Sequence, residues 1–67
     1  MAKKISVSTA NGGYVEAKWY DESDGSIYVG RSCIGSAKTS KDAIAIVENY
    51  AERTKGSRVE KVEIRDA

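Results

Sequence analysis

Apolar and polar residues alternate at the start of the chain: Ile5, Val7 and Thr9 interleave with Lys4, Ser6 and Ser8, and Val15, Ala17 and Trp19 with Glu16 and Lys18. A period of two marks a strand with one buried face. The pattern predicts strands over residues 3–10, 14–22 and 26–34, and a last one over 59–65, where Val62 and Ile64 alternate with Lys61, Glu63 and Arg65. Between the third and last strands, over about 40–55, the period changes to that of a helix. Ala43, Val47, Tyr50 and Thr54 line up on a 3.6-residue wheel with Ile44, Ile46 and Ala51 beside them, while Lys41, Glu48, Asn49, Glu52 and Lys55 point away. Thr39 or Ser40 supplies a capping hydroxyl, Asp42 suits the positive end of the helix dipole, and Gly56 follows Arg53 and Lys55 as a stop signal.

Parity selects the hairpin loops, because a slip of one residue would turn every side chain over. A three-residue Asn11-Gly12-Gly13 loop sets Ile5 opposite Trp19, Val7 opposite Ala17 and Thr9 opposite Val15. A three-residue Ser23-Asp24-Gly25 loop likewise pairs Trp19 with Val29, Asp21 with Ile27 and Tyr20 with Tyr28. Both end in glycine, as the left-handed last position of a type I turn plus G1 bulge prefers. The inner face is then Ile5, Val7, Val15, Ala17, Trp19, Ile27, Val29, Cys33, Val62 and Ile64 under one amphipathic helix. The fold class is α+β: a two-layer sandwich with a four-stranded, mainly antiparallel sheet in the order β-β-β-α-β. A right-handed crossover through the helix makes the last strand parallel to the third, beside either the first or the third.

The same register places Lys4, Tyr20 and Tyr28 in one row of the opposite face, then Ser6, Lys18 and Gly30, then Ser8, Glu16 and Ser32, then Ala10, Tyr14 and Ile34. No second helix is predicted to cover this face. Its tyrosines offer rigid apolar area with a polar tip, suited to a protein interface or to stacking on an unpaired base. The plainer role for Tyr20 and Tyr28 is cross-strand stabilisation of the hairpin. Arg31 breaks the alternation, since a continuous third strand would aim it at the core. Either it snorkels past the sheet edge or Gly30 marks a bulge that presents it to a partner carboxylate or phosphate.

Composition narrows the function. The chain has 67 residues, enough for one domain over 1–67, and a domain this small buries only about 60% of its unfolded surface. One cysteine and no histidine exclude an internal disulfide and a zinc-ligand set, and fit a reducing cytoplasm. Met1-Ala2-Lys3-Lys4 runs straight into a strand without the apolar stretch of a signal peptide or membrane anchor. A net charge of +1 writes neither a nucleic-acid footprint nor a polyanion into the chain. Cys33 reads as a small core residue, not a nucleophile. Gly30, Gly35 and Ser36 precede the helix without phosphate-loop spacing, and Asp21, Glu22 and Asp24 crowd a hairpin tip without an EF-hand pattern. No cofactor and no enzymatic activity are expected.

The run Gly12-Gly13-Tyr14-Val15, the acidic hairpin, Val29-Gly30-Arg31, Gly35-Ser36, the alanine-containing helix and the final strand resemble small phage-encoded anti-CRISPR proteins acting on type I systems. The segment Thr39-Ser40-Lys41-Asp42-Ala43-Ile44 with the strand after it is also similar to small β-β-α-β domains such as the antitoxin half of HicAB toxin–antitoxin pairs, although no additional DNA-binding region is present. The anti-CRISPR resemblance implies an inhibitor in the host bacterial cytoplasm that docks on a Cas complex. The expected partner-binding residues are Tyr20, Tyr28, Lys4 and Lys18, with Tyr14 and Arg31. A single-stranded nucleic-acid binder using the same tyrosines and lysines, and a domain that covers its tyrosine face with a second copy, are the alternatives.

Overall fold

In the computed structural model, which describes residues 2–66, each segment of alternating pattern contains strand, though the second stops at Trp19 and the third is broken in two; Met1 and Ala67, the ends of the expected 1–67 domain, lie outside the described residues. The elements are β1 (Lys3–Thr9), β2 (Tyr14–Trp19), β3 (Ser26–Val29), β4 (Ser32–Ser36), α1 (Ser40–Lys55) and β5 (Val59–Asp66). They form a small α+β structure with one helix and an antiparallel five-stranded sheet ordered β4-β3-β2-β1-β5.

The extra strand corrects the expected four. Residues 26–34 do not run as one strand but reverse at Gly30 and Arg31, so that Val29 stands opposite Ser32. Gly30 takes φ +63 while Arg31 keeps a negative φ, the signs of a type II′ turn, in which glycine takes the first central position because it has no Cβ to clash. The reversal frees Arg31 from the core and turns it to solvent. It also changes the direction in which the chain enters α1. β5 therefore runs parallel to β4 and antiparallel to β1, its neighbour, and not parallel to the strand of Ile27.

Both central hairpins are displaced by two residues from the expected register. In the first, Ile5 pairs with Ala17 and Val7 with Val15, and Gly12, not Gly13, holds the left-handed position of the loop. Tertiary hydrogen bonds fix this loop: Ala10 N–H donates to the Arg58 carbonyl at 3.0 Å, and Asn11 Nδ2 to the Lys55 carbonyl at 3.0 Å. In the second, Trp19 pairs with Ile27 and Lys18 with Tyr28, and Tyr20 N–H donates to the Ser26 carbonyl at 2.9 Å, so the loop spans 21–25. Ala37 holds it in place. Its N–H donates to the Gly25 carbonyl at 2.9 Å, and its own carbonyl accepts the buried Trp19 Nε1–H at 3.0 Å. That carbonyl oxygen occupies the space a Cβ on Gly25 would need.

A shift of two preserves the faces. Ile5, Val7, Val15, Ala17, Trp19 and Ile27 are buried beneath Ala43, Val47 and Ala51 of the helix, with Ala51 and not Thr54 completing the buried line. Thr39 caps the helix, its hydroxyl accepting from Asp42 N–H at 3.2 Å, and Gly56 ends it at φ +65. Two expected core residues lie elsewhere. Ile64 is 37% exposed near the end of edge strand β5, beyond the helix-covered centre. Cys33 is exposed because the turn at Gly30 and a bulge in β4 set it opposite Tyr28, on the uncovered side. The bulge makes Ile34 the extra residue and sends it to the helix side with Ile46 and Tyr50, not to the open row expected for it. Among the described residues no helix is long and apolar enough to cross a membrane.

Candidate protein-binding face

Among the described residues no element lies over the face opposite α1, and its side chains follow from the observed register. Tyr28, Lys18, Lys4 and Arg65 stand in one row across β3, β2, β1 and β5, with Cys33 of β4 beyond Tyr28. Glu16, Ser6 and Glu63 form the next row, and Tyr14, Ser8 and Lys61 the one after. The face is therefore striped by charge at right angles to its strands.

Tyr20 and Tyr28 are diagonal, not opposite as expected from the shorter loop. Their ring centroids are 5.8 Å apart at an interplanar angle of 85°. This edge-to-face arrangement is worth about 0.5–1.5 kcal/mol beyond the area it buries. It presents two half-buried rings at the end of a shallow groove of about 640 Å³, lined also by Lys4, Glu16, Lys18 and Arg31. The groove brings together every expected partner-binding residue except Tyr14. That side chain is 53% exposed farther along β2, its hydroxyl 3.2 Å from both Ser6 Oγ and Glu16 Oε2. Arg31 reaches the groove because the Gly30 turn brings it to the end of β3.

The electrostatics of the first row are unfavourable to the fold by themselves. Lys18 stands directly opposite Lys4, and Lys4 opposite Arg65. Like charges in directly opposed positions destabilise a sheet. Relief is partial: Lys4 Nζ lies 3.9 Å from Glu16 Oε2, and Arg65 Nη1 3.9 Å from Glu63 Oε1. Exposed pairs such as these contribute about 0–1 kcal/mol. Among the described residues Lys18 and Arg31 make no ion pair.

Arg65, Glu16 and Glu63 belong to this face, although the sequence reading assigned them no binding role. Glu16 was placed on this face by the alternation of its own strand; for Arg65 and Glu63 the signal was the alternation of the last strand, whose place in the sheet is a tertiary fact that no local pattern carries. At the tip of the β2–β3 hairpin the Ser26 side chain and then the Ser26 N–H, 3.0 Å from Asp24 Oδ1, hold the Asp24 carboxyl below its ordinary value. No group of three or more Cys, Asp or Glu side chains among the described residues is placed to hold a metal ion. Comparison with protein-family models, with curated proteins and with solved structures gives no match.

Proposed function

We propose that the protein is a non-enzymatic protein-binding module that docks on a host protein complex through the open face of its sheet, with Tyr20 and Tyr28 as the anchors and Lys4, Lys18 and Arg31 around them. The supporting observation is the groove itself: two rigid aromatic rings and three cations on a sheet face that no other element among the described residues covers. Aromatic residues and arginine are enriched at interface centres, where a few side chains carry most of the affinity, and lysines such as Lys4 and Lys18 suit the polar rim around them. The anti-CRISPR resemblance makes a type I Cas complex the first partner to test, with inhibition by occupancy as the mode of action. Single-stranded nucleic acid is the second reading, favoured by the alignment of Tyr28 with three cations.

The experiment is affinity measurement between the purified protein and a purified type I Cas complex at moderate and high salt, with Tyr20→Ala/Tyr28→Ala as the variant. Loss of hot-spot contacts costs about 2 kcal/mol or more, a weakening of about 30-fold. An unchanged affinity in a variant whose circular dichroism is native removes this face as the site. Failure of the Cas complex to bind at all removes the inhibitor reading.

A further inference from the structure

We infer that the segment this face receives is an acidic helix lying across the strands, with one apolar residue followed by carboxylates one turn apart; the inference rests on the docking role proposed above. It starts from the cost already described. Lys18, Lys4 and Arg65 occupy directly opposed positions on three adjacent strands, where a carboxylate at the middle position would relieve the repulsion. A ligand that supplies the missing negative charge converts the cost into affinity.

The direction of the row selects the shape of that ligand. Neighbouring strands are about 4.8 Å apart, so the three cations span roughly 10 Å at right angles to the strands. A helix advances about 5.4 Å per turn, so acidic residues at i, i+4 and i+7 lie on one side at nearly the same spacing. An extended segment laid across the strands repeats same-side residues at about 6.5 Å, twice its rise per residue, and fits the row less well. Tyr28 continues the row beyond Lys18, with the Tyr20 ring beside it in a T-shaped pair. An apolar side chain one turn before the first carboxylate would land there.

The adjacent row distinguishes a peptide from a nucleic acid. Glu16 on β2 and Glu63 on β5 flank the cations, with the neutral Ser6 between them on β1. A phosphodiester strand carries only negative charge and is repelled by that row, and a net charge of +1 provides no long-range attraction to overcome it. A helix can set lysines or arginines against Glu16 and Glu63 from its flank while its carboxylates face Lys18, Lys4 and Arg65.

The test titrates the isotope-labelled full chain with an alanine-rich helical peptide bearing leucine and then glutamate at the next three turns, with its glutamate-to-glutamine counterpart, and with a ten-residue oligothymidylate. The glutamate peptide should bind at least tenfold more tightly than the glutamine peptide and shift the amides of Lys18, Lys4 and Arg65. Lys18→Glu/Arg65→Glu should remove that tenfold preference. Equal binding of the two peptides, absence of binding by the glutamate peptide, or shifts away from the row overturn the inference. Tighter binding of the oligothymidylate at the same residues overturns it in favour of a nucleic acid. The docking role is tested apart from it: a Cas complex that Tyr20→Ala/Tyr28→Ala releases but Lys18→Glu/Arg65→Glu retains leaves the role standing and removes the acidic helix.

Discussion

The two faces of the sheet answer differently to the same change in register. On the helix-covered face, Ile5, Val7, Val15, Ala17, Trp19 and Ile27 are buried whether Ile5 stands opposite Trp19 or, as observed, opposite Ala17. That face needs only the correct parity, because a continuous apolar surface is indifferent to which apolar neighbour is next. The open face depends on the identity of neighbours. A shift of two residues separates Tyr20 from the position opposite Tyr28 and puts Lys18 there, next to Lys4. Burial is tolerant of register, and recognition is not.

The largest test of this contrast removes atoms from the covered face. Ile27 is fully buried and stands opposite Trp19 at the junction of the two hairpins. Ile27→Ala should cost about 2–5 kcal/mol, the transfer term plus the cavity left behind. Urea denaturation followed by tryptophan fluorescence measures it, since Trp19 is packed in the same core. A cost within about 0.5 kcal/mol, the range of an ordinary surface substitution, would show that the covered face is not the stabilising one.

How far the sequence leads follows from the same contrast. The strand positions, the single helix with its Thr39 cap and Gly56 stop, and most of the core are written in local periodicity and capping chemistry. The turn at Gly30 and Arg31 was visible as a misfit, an arginine where a core residue was due, but a bulge explains a misfit as well as a reversal does. Deciding between them needed the partner of Val29, which is Ser32. The two loop registers are set by Lys55, Arg58 and Ala37, residues distant in sequence whose carbonyls accept from Asn11, Ala10 and Trp19. Of the candidate face, the tyrosines and lysines were legible from parity alone. Arg65 and the stripe of Glu16 and Glu63 were not, because they exist as neighbours only once β5 lies against β1.

A smaller effect of opposite sign belongs to the open face. Lys18→Glu places a carboxylate between Tyr28 and Lys4 and replaces a like-charged cross-strand pair by an opposite one. The fold should gain on the order of 0.2–1 kcal/mol at low salt, and the gain should shrink as salt screens it. Thermal denaturation at two ionic strengths reads both statements. A stabilised variant with weakened partner binding would mark the lysine as retained for recognition. Destabilisation by the substitution would mean that the Lys18 stem, and not its charge, matters to the sheet.

The smallest effect concerns what holds the two faces in register at the hairpin tips. Both tips use one device: Asn11 Oδ1 accepts from Gly13 N–H at 3.2 Å and Asp24 Oδ1 from Ser26 N–H at 3.0 Å, each across a glycine of positive φ. The difference is that Asp24 titrates. Its carboxyl lies below the ordinary value of 3.8, chiefly through the Ser26 side chain. A depressed folded pKa means that the carboxylate stabilises the fold above the ordinary value and that this contribution is lost as pH falls through the lowered one. Asp24→Asn keeps an acceptor oxygen, as Asn11 does, and cannot titrate in this range. It should make the fold slightly less stable at neutral pH, by the share that the charge adds to the Ser26 contacts, and remove one acid-sensitive step from the pH profile. A carbon-13 titration of the Asp24 carboxyl gives the direct reading: a midpoint at or above the ordinary value would break the likeness between the tips and leave Ser26 without a role in holding the second.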